Sequence, residues 1–130
     1  MIFFTNALFE TVGYDKVTDD WIFSFADKIY VSATGFWRLL ISEKIAFISL
    51  DHGHQFGLPE PLDLIEEVTK ALSGQRLEKI EIARNTSDLV LTVSGGIKLE
   101  IYTASTGYES FEFSISGNRY VAVAGRVIVI

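Results

Sequence analysis

Apolar residues recur at every second position through most of this chain, and one stretch near its middle breaks the rule. Trp21, Phe23 and Phe25 take one phase, with Ile22 and Ser24 between them. Ile29 and Val31 resume after Ala26-Asp27-Lys28, which predicts a hairpin. Residues 36–41 and 44–50 predict a second hairpin, joined near Ser42-Glu43. Its second strand is apolar on both faces at Ile45-Ala46-Phe47-Ile48, which predicts a central strand covered on both sides. Past the middle, strands are expected over 77–83, 89–93, 97–101, 111–115, 120–124 and 126–130, with tight turns at Ser94-Gly95-Gly96 and Gly117-Asn118. Val127-Ile128-Val129-Ile130 is apolar throughout and reads as a central strand, because an exposed β-branched end invites aggregation.

The exceptional stretch begins at Asp51-His52-Gly53-His54-Gln55-Phe56-Gly57-Leu58-Pro59-Glu60-Pro61, whose glycines and prolines mark a loop. Leu62, Leu64, Ile65, Val68, Ala71 and Leu72 then fall on one face of a helix. Pro61 suits its first position, Glu60, Asp63 and Glu66 its positive end, Lys70 its negative end, and Gly74 its close. A short second helix is expected over 6–11. The sum is an α+β fold in a single domain over residues 1–130. It is a largely antiparallel β-sheet assembly, a sandwich or partly closed barrel, with one main helix at about 61–73 packed on it. One internal echo stands out. Asp20 to Val31 and Asp88 to Leu99 share the succession of Asp, strand, link and strand at an offset of 68, in pattern more than in identity.

Composition narrows the function classes. Hydrophobic residues make up 48%, including 10 Phe, 5 Tyr and 2 Trp, which sets the chain apart from disordered sequences. Mean hydropathy is +0.28, so either the core is large for the chain or some apolar surface meets a partner. Cysteine is absent, which removes disulfides, thiolate metal sites and thiol nucleophiles. The first residues lack a basic, then apolar, leader pattern, and no apolar run is long enough to span a bilayer. The expected setting is therefore the cytoplasm, away from membranes. The net charge is −6, with five Lys/Arg against eleven Asp/Glu in residues 1–74 and six of each in 75–130. An acidic surface repels nucleic acid and steers basic proteins inward.

Candidate chemistry is sparse. His52 and His54 would point to one face if they lay on a strand, where Asp51 and Glu60 could add oxygen ligands. No third histidine exists, and the alternative is a turn in which these groups bond nearby backbone. A metal and a cofactor are therefore not expected. There is no Gly-x-Ser-x-Gly elbow, and Gly95-Gly96 lacks the Lys and helix of a phosphate loop, so no enzyme is expected. Gly107-Tyr108-Glu109 opens a strand at which Glu109 would share the apolar face of Phe111 and Phe113. It would then need a partner such as Arg38, Arg84, Arg119 or Arg126.

Three segments together carry a resemblance: Asp51-His52-Gly53-His54 with Phe56-Gly57-Leu58-Pro59, Asp88-Leu89 with its hairpin, and Ser105-Thr106-Gly107-Tyr108-Glu109-Ser110-Phe111. The chain resembles a group of small bacterial proteins of largely unassigned role. They share a late Ser-x-Gly-Tyr-Glu-Ser-aromatic motif, in which the aromatic is commonly Trp and here is Phe111. Some of them are thought to act as immunity proteins that bind and neutralise a toxin. The resemblance implies a non-enzymatic binding protein with a protein partner. Charge adds that the partner is basic, steered by Asp15, Asp19, Asp20, Glu60, Asp63 and Glu67 and anchored by Tyr108. The alternatives are a small-ligand domain with a pocket near His52, His54 and Tyr108, and a structural homo-oligomer such as a homodimer that buries surplus apolar surface.

Overall fold

The structure, a computed structural model, describes residues 1–34, 36–104, 107–123 and 126–130. Its strands are β1 (Ile2–Asp15), β2 (Asp20–Phe25), β3 (Tyr30–Ala33), β4 (Trp37–Ile41), β5 (Lys44–Ile48), β6 (Arg76–Ile82), β7 (Leu89–Val93), β8 (Ile97–Ile101), β9 (Glu109–Ile115), β10 (Asn118–Val123) and β11 (Arg126–Val129), with one helix, α1 (Leu64–Leu72). All eleven strands form a single antiparallel sheet in the order β11-β10-β9-β3-β2-β1-β6-β7-β8-β4-β5. The sheet curls without closing. Strands well separated in that order meet face to face: Trp37 of β4 sets its ring edge-on to Trp21 and Phe23 of β2, and Phe3 of β1 meets Phe113 and Tyr120. These contacts lie in one continuous core, so the fold is α+β with its single main helix laid on β1. No helix among the described residues is long and apolar enough to cross a membrane.

The echo seen in the sequence extends to strand register. Phe9 opposite Phe25 recurs as Leu77 opposite Val93, and a bulge follows at the same place in both. Val12–Phe23 recurs as Ile80–Leu91, and Trp21–Ala33 as Leu89–Ile101, always sixty-eight residues on. The hairpins repeat too. Trp37 lies opposite Ile101 as Phe111 lies opposite Ala33, and the bond from Thr34 N to Ser110 O matches that from Tyr102 N to Phe36 O. Each repeat is thus a three-stranded meander (β1–β3, β6–β8) followed by a hairpin (β4–β5, β9–β10). Each hairpin is docked on the other repeat's meander, and β1 pairs with β6 in the middle. Two segments fall outside this scheme. After β5 the chain enters a 3-10 turn (Ser49–Asp51), a loop and α1, whereas after β10 it adds β11.

Four expectations are corrected. Residues 6–11 belong to β1. Ala7 and Phe9 face the core in one phase and Val12 in the other, because the bulge after Phe9 shifts the alternation and blurs the strand signal. β5 is an edge strand and not a central one, with Ile45 52% exposed. The C-terminal run is also an edge: β11 ends the strand order and, among the described residues, pairs with β10 alone. The proposed end of the preceding strand at Ala124 lies outside the described residues. The helix starts at Leu64, later than Pro61. Asp63 caps it, accepting hydrogen bonds from the Ile65 and Glu66 amides at 3.0 and 3.3 Å.

Each hairpin is stapled to its host meander by an Arg, Glu and Tyr on the outer face. Arg38 Nε donates to Glu100 at 2.5 Å, with the Tyr102 hydroxyl donating at 3.0 Å. Arg119 Nε donates to Glu112 at 2.5 Å, with the Tyr30 hydroxyl donating at 2.8 Å. Burial pushes the Glu112 carboxyl up. The hydrogen bonds from Arg119 and Tyr30, with the Arg119 charge, outweigh it and hold the group below its usual range. A depressed carboxyl stabilises the fold above its unfolded pKa, and that contribution is lost as pH falls through the folded one. Glu112→Gln is therefore expected to cost about 1 kcal/mol near pH 7 and much less near pH 3 in urea melts. An equal cost at both pH values would mean that the charge contributes nothing.

Candidate functional site

The loop between the 3-10 turn and α1 is fixed at both ends by backbone bonds. Gly53 N donates to Leu62 O at 2.8 Å and Leu62 N to His54 O at 2.7 Å. Its tip turns at Phe56 and Gly57, both at positive φ, and the Gln55 side-chain amide braces it by donating to the carbonyls of Leu58 and Pro59. Pro59 and Pro61 stiffen the return towards α1. Leu64, Val68 and Leu72 anchor the helix in the core, each fully buried side chain contributing about 1.5–3 kcal/mol.

His52 holds this assembly to the sheet. Its ring sits edge-on to both Tyr14, at 5.2 Å, and Trp21, at 5.0 Å, which touch each other. Its Nδ1 accepts a hydrogen bond from the Leu64 amide at 3.1 Å, so the ring proton is placed on Nε2. With Asp63 capping the next two amides, the first turn of α1 is satisfied by side chains from outside it. His54 is exposed and stacks on exposed Phe56. The His-x-His pair therefore lies in a loop and not on a strand, and its two rings have different neighbours. Among the described residues no three His, Cys, Asp or Glu side chains are grouped to hold a metal.

Loop and helix together form an open groove of about 550 Å³. Leu58, Pro59 and Pro61 supply apolar walls, and Glu60, Asp63, Glu66 and Glu67 line it with four carboxylates. Lys70 answers part of this charge, 3.1 Å from Glu66 and 3.9 Å from Glu67, with all three side chains well exposed. The groove thus unites Glu60, Asp63 and Glu67 from the sequence reading, and adds Glu66 and Leu58. Asp51 ends the 3-10 turn beside it.

Tyr108 and Glu109 lie at the start of β9. Tyr108 is 81% exposed. Glu109 was expected on the apolar face, but a bulge between β9 and β10 turns Ser110 inward alongside Phe111 and leaves Glu109 exposed. Arg119 and Arg38 are engaged by Glu112 and Glu100. Partial burial, then the charges of Glu112 and Asp20, raise the Glu109 carboxyl against a smaller opposing effect of Arg119. Ser105 and Thr106 of the late motif lie outside the described residues. The β1–β2 turn spans the two regions, since its Tyr14 ring touches His52 and the charge of Asp20 is felt by Glu109. Neither the 550 Å³ groove nor a second one between the turns at Ser42-Glu43 and Gly95-Gly96 takes in His52, His54 or Tyr108. Sequence reasoning missed Tyr14 as the support of His52, and no local signal marks it.

Comparison with protein-family models, with curated proteins and with solved structures found no match.

Proposed function

We propose that this chain is a non-enzymatic binding protein whose partner is a basic protein, most concretely a toxin that it neutralises in the manner of an immunity protein. The observation that carries this reading is the braced groove with four carboxylates and an exposed apolar rim, in the one long segment that the internal repeat does not need. Acidic side chains on a fixed backbone raise the encounter rate with a cationic surface, and Leu58 and Phe56, 46% and 66% exposed, offer apolar anchors beside them. The β1–β2 turn adds Asp15, Asp19 and Asp20, so the negative field extends beyond the groove. Glu109, raised by partial burial and then by the charges of Glu112 and Asp20, gains from any cation brought to it. The bacterial cytoplasm is the setting we infer.

The test is co-expression with the basic product of a toxin-type coding region adjacent to its own. The expected complex survives about 0.05 M salt and weakens at least tenfold by about 0.5 M, as the screening length shortens. The Glu60→Lys, Glu66→Lys, Glu67→Lys triple variant loses it. Association that ignores salt, or that the triple variant retains, argues against the proposal.

A further inference from the structure

We infer that β11 is a self-association strand, and that two copies of this chain pair through it, antiparallel, about a twofold axis at Ile128. The two edges of the sheet are built differently. β5 carries Lys44 and a bulge opposite Leu39 and Leu40, both of which deter edge pairing. β11 has neither. Its register against β10 is regular from Tyr120–Val129 to Val123–Arg126, and Val127, Ile128, Val129 and Ile130 include no charge, proline or glycine. Ile128, Val129 and Ile130 are 46%, 54% and 66% exposed. Among the described residues, Val127 and Val129 thus turn their backbone donors and acceptors away from β10, uncovered, on an apolar strand.

Charge identifies the occupant. The net −6 comes wholly from residues 1–74, where two copies repel one another. The hairpin of β10 and β11 contains no acid, and β10 and β9 stand between β11 and the nearest strand of residues 1–74, so this is the edge at which two copies repel least. Pairing about Ile128 sets Val127 opposite the other copy's Val129, on the face where Val127 already packs against the core. It sets Arg126 opposite Ile130, so no like charges face each other. The two Arg126 residues then lie about 13 Å apart along the strands, beyond the screening length of about 8 Å at physiological salt. The fold already contains such a junction, since the equivalent strands β1 and β6 pair antiparallel at the centre of the sheet.

Light scattering of the whole chain is expected to show a mass rising with concentration from 14.5 kDa towards twice that value. Ile128→Lys and Ile128→Glu, each at a half-exposed edge position and each with a wild-type circular dichroism spectrum, should be monomeric alone. Mixed in equal amounts they should dimerise again, because position 128 faces itself across the axis. Ile130→Glu, which disturbs no core contact, should tighten the dimer about two- to fivefold by facing Arg126 of the other copy. A wild-type chain that stays monomeric at millimolar concentration overturns the inference. So does a mixture that fails to reassociate, or loss of association through Ile45→Lys on β5, which would indicate head-to-tail joining.

Discussion

Trp37→Ala is expected to cost about 3–5 kcal/mol, a large part of the stability of a domain this size. Trp37 is fully buried and belongs to β4, the hairpin that the first repeat lends to the second. Its ring meets Trp21 at 5.1 Å and Phe23 at 5.4 Å, and its amide donates to Ser49 Oγ at 3.0 Å. Truncation removes the contacts of β4 with β2 across the curled sheet, and leaves a cavity between them. Trp37→Phe should behave differently. The indole Nε1 has no hydrogen-bond partner among the described residues, so phenylalanine removes a buried orphan donor worth about 1–3 kcal/mol along with some volume. The phenylalanine variant is expected within about 1 kcal/mol of wild type in denaturant melts. If both variants lose the same amount, the cavity argument fails.

The success of the period-two reading and its failures have the same origin. Strands with one buried face, such as Trp21-Phe23-Phe25 or Leu89-Leu91-Val93, announce themselves because alternation records the sheet's two sides. β1 did not, because its two halves pair with different strands and the bulges between them reset the phase. Ile45-Ala46-Phe47-Ile48 and Val127-Ile128-Val129-Ile130 looked central because a run of apolar residues records burial on both faces only when both faces are covered. Here they end the sheet. Which strand becomes an edge is decided by the hairpin exchange between repeats, a long-range pairing that no window of sequence contains. The repeat itself was visible at 20–31 and 88–99. Its extension through β1, β6 and the hairpins was not, because register is retained there where residue identity is lost.

The candidate site was legible in part for a related reason. Glu60, Asp63 and Glu67 are near in sequence, so helical spacing alone brings them together. Asp63 was read as part of the dipole's positive end, and its capping role follows from the same chemistry. Glu109 of the late motif is influenced by the charge of Asp20, some ninety residues earlier, a proximity that no sequence window contains. A metal at His52 and His54 required strand geometry, whereas the glycines and prolines around them mark a loop. In the loop the two rings have separate tasks, one facing the core and one the surface.

That division makes His52 the position where a single change should move the site without touching its charges. His52→Ala removes the acceptor of the Leu64 amide and the ring packed against Tyr14 and Trp21. The orphaned first-turn donor costs about 1–3 kcal/mol, and the lost aromatic contacts add about 0.5–1.5 kcal/mol. The damage should be local. Hydrogen exchange is expected to speed up at least tenfold for amides between Gly53 and Leu72, while β7 and β8, in the other repeat, keep their protection. Binding of a basic partner should weaken along with it, although every carboxylate remains, because Glu60 would no longer be held against Glu66 and Glu67. His52→Asn, whose side-chain oxygen can accept the Leu64 amide, should recover part of the protection. Uniform loss of protection across all strands would instead make His52 a residue of the general core, and would separate the groove's geometry from its anchor.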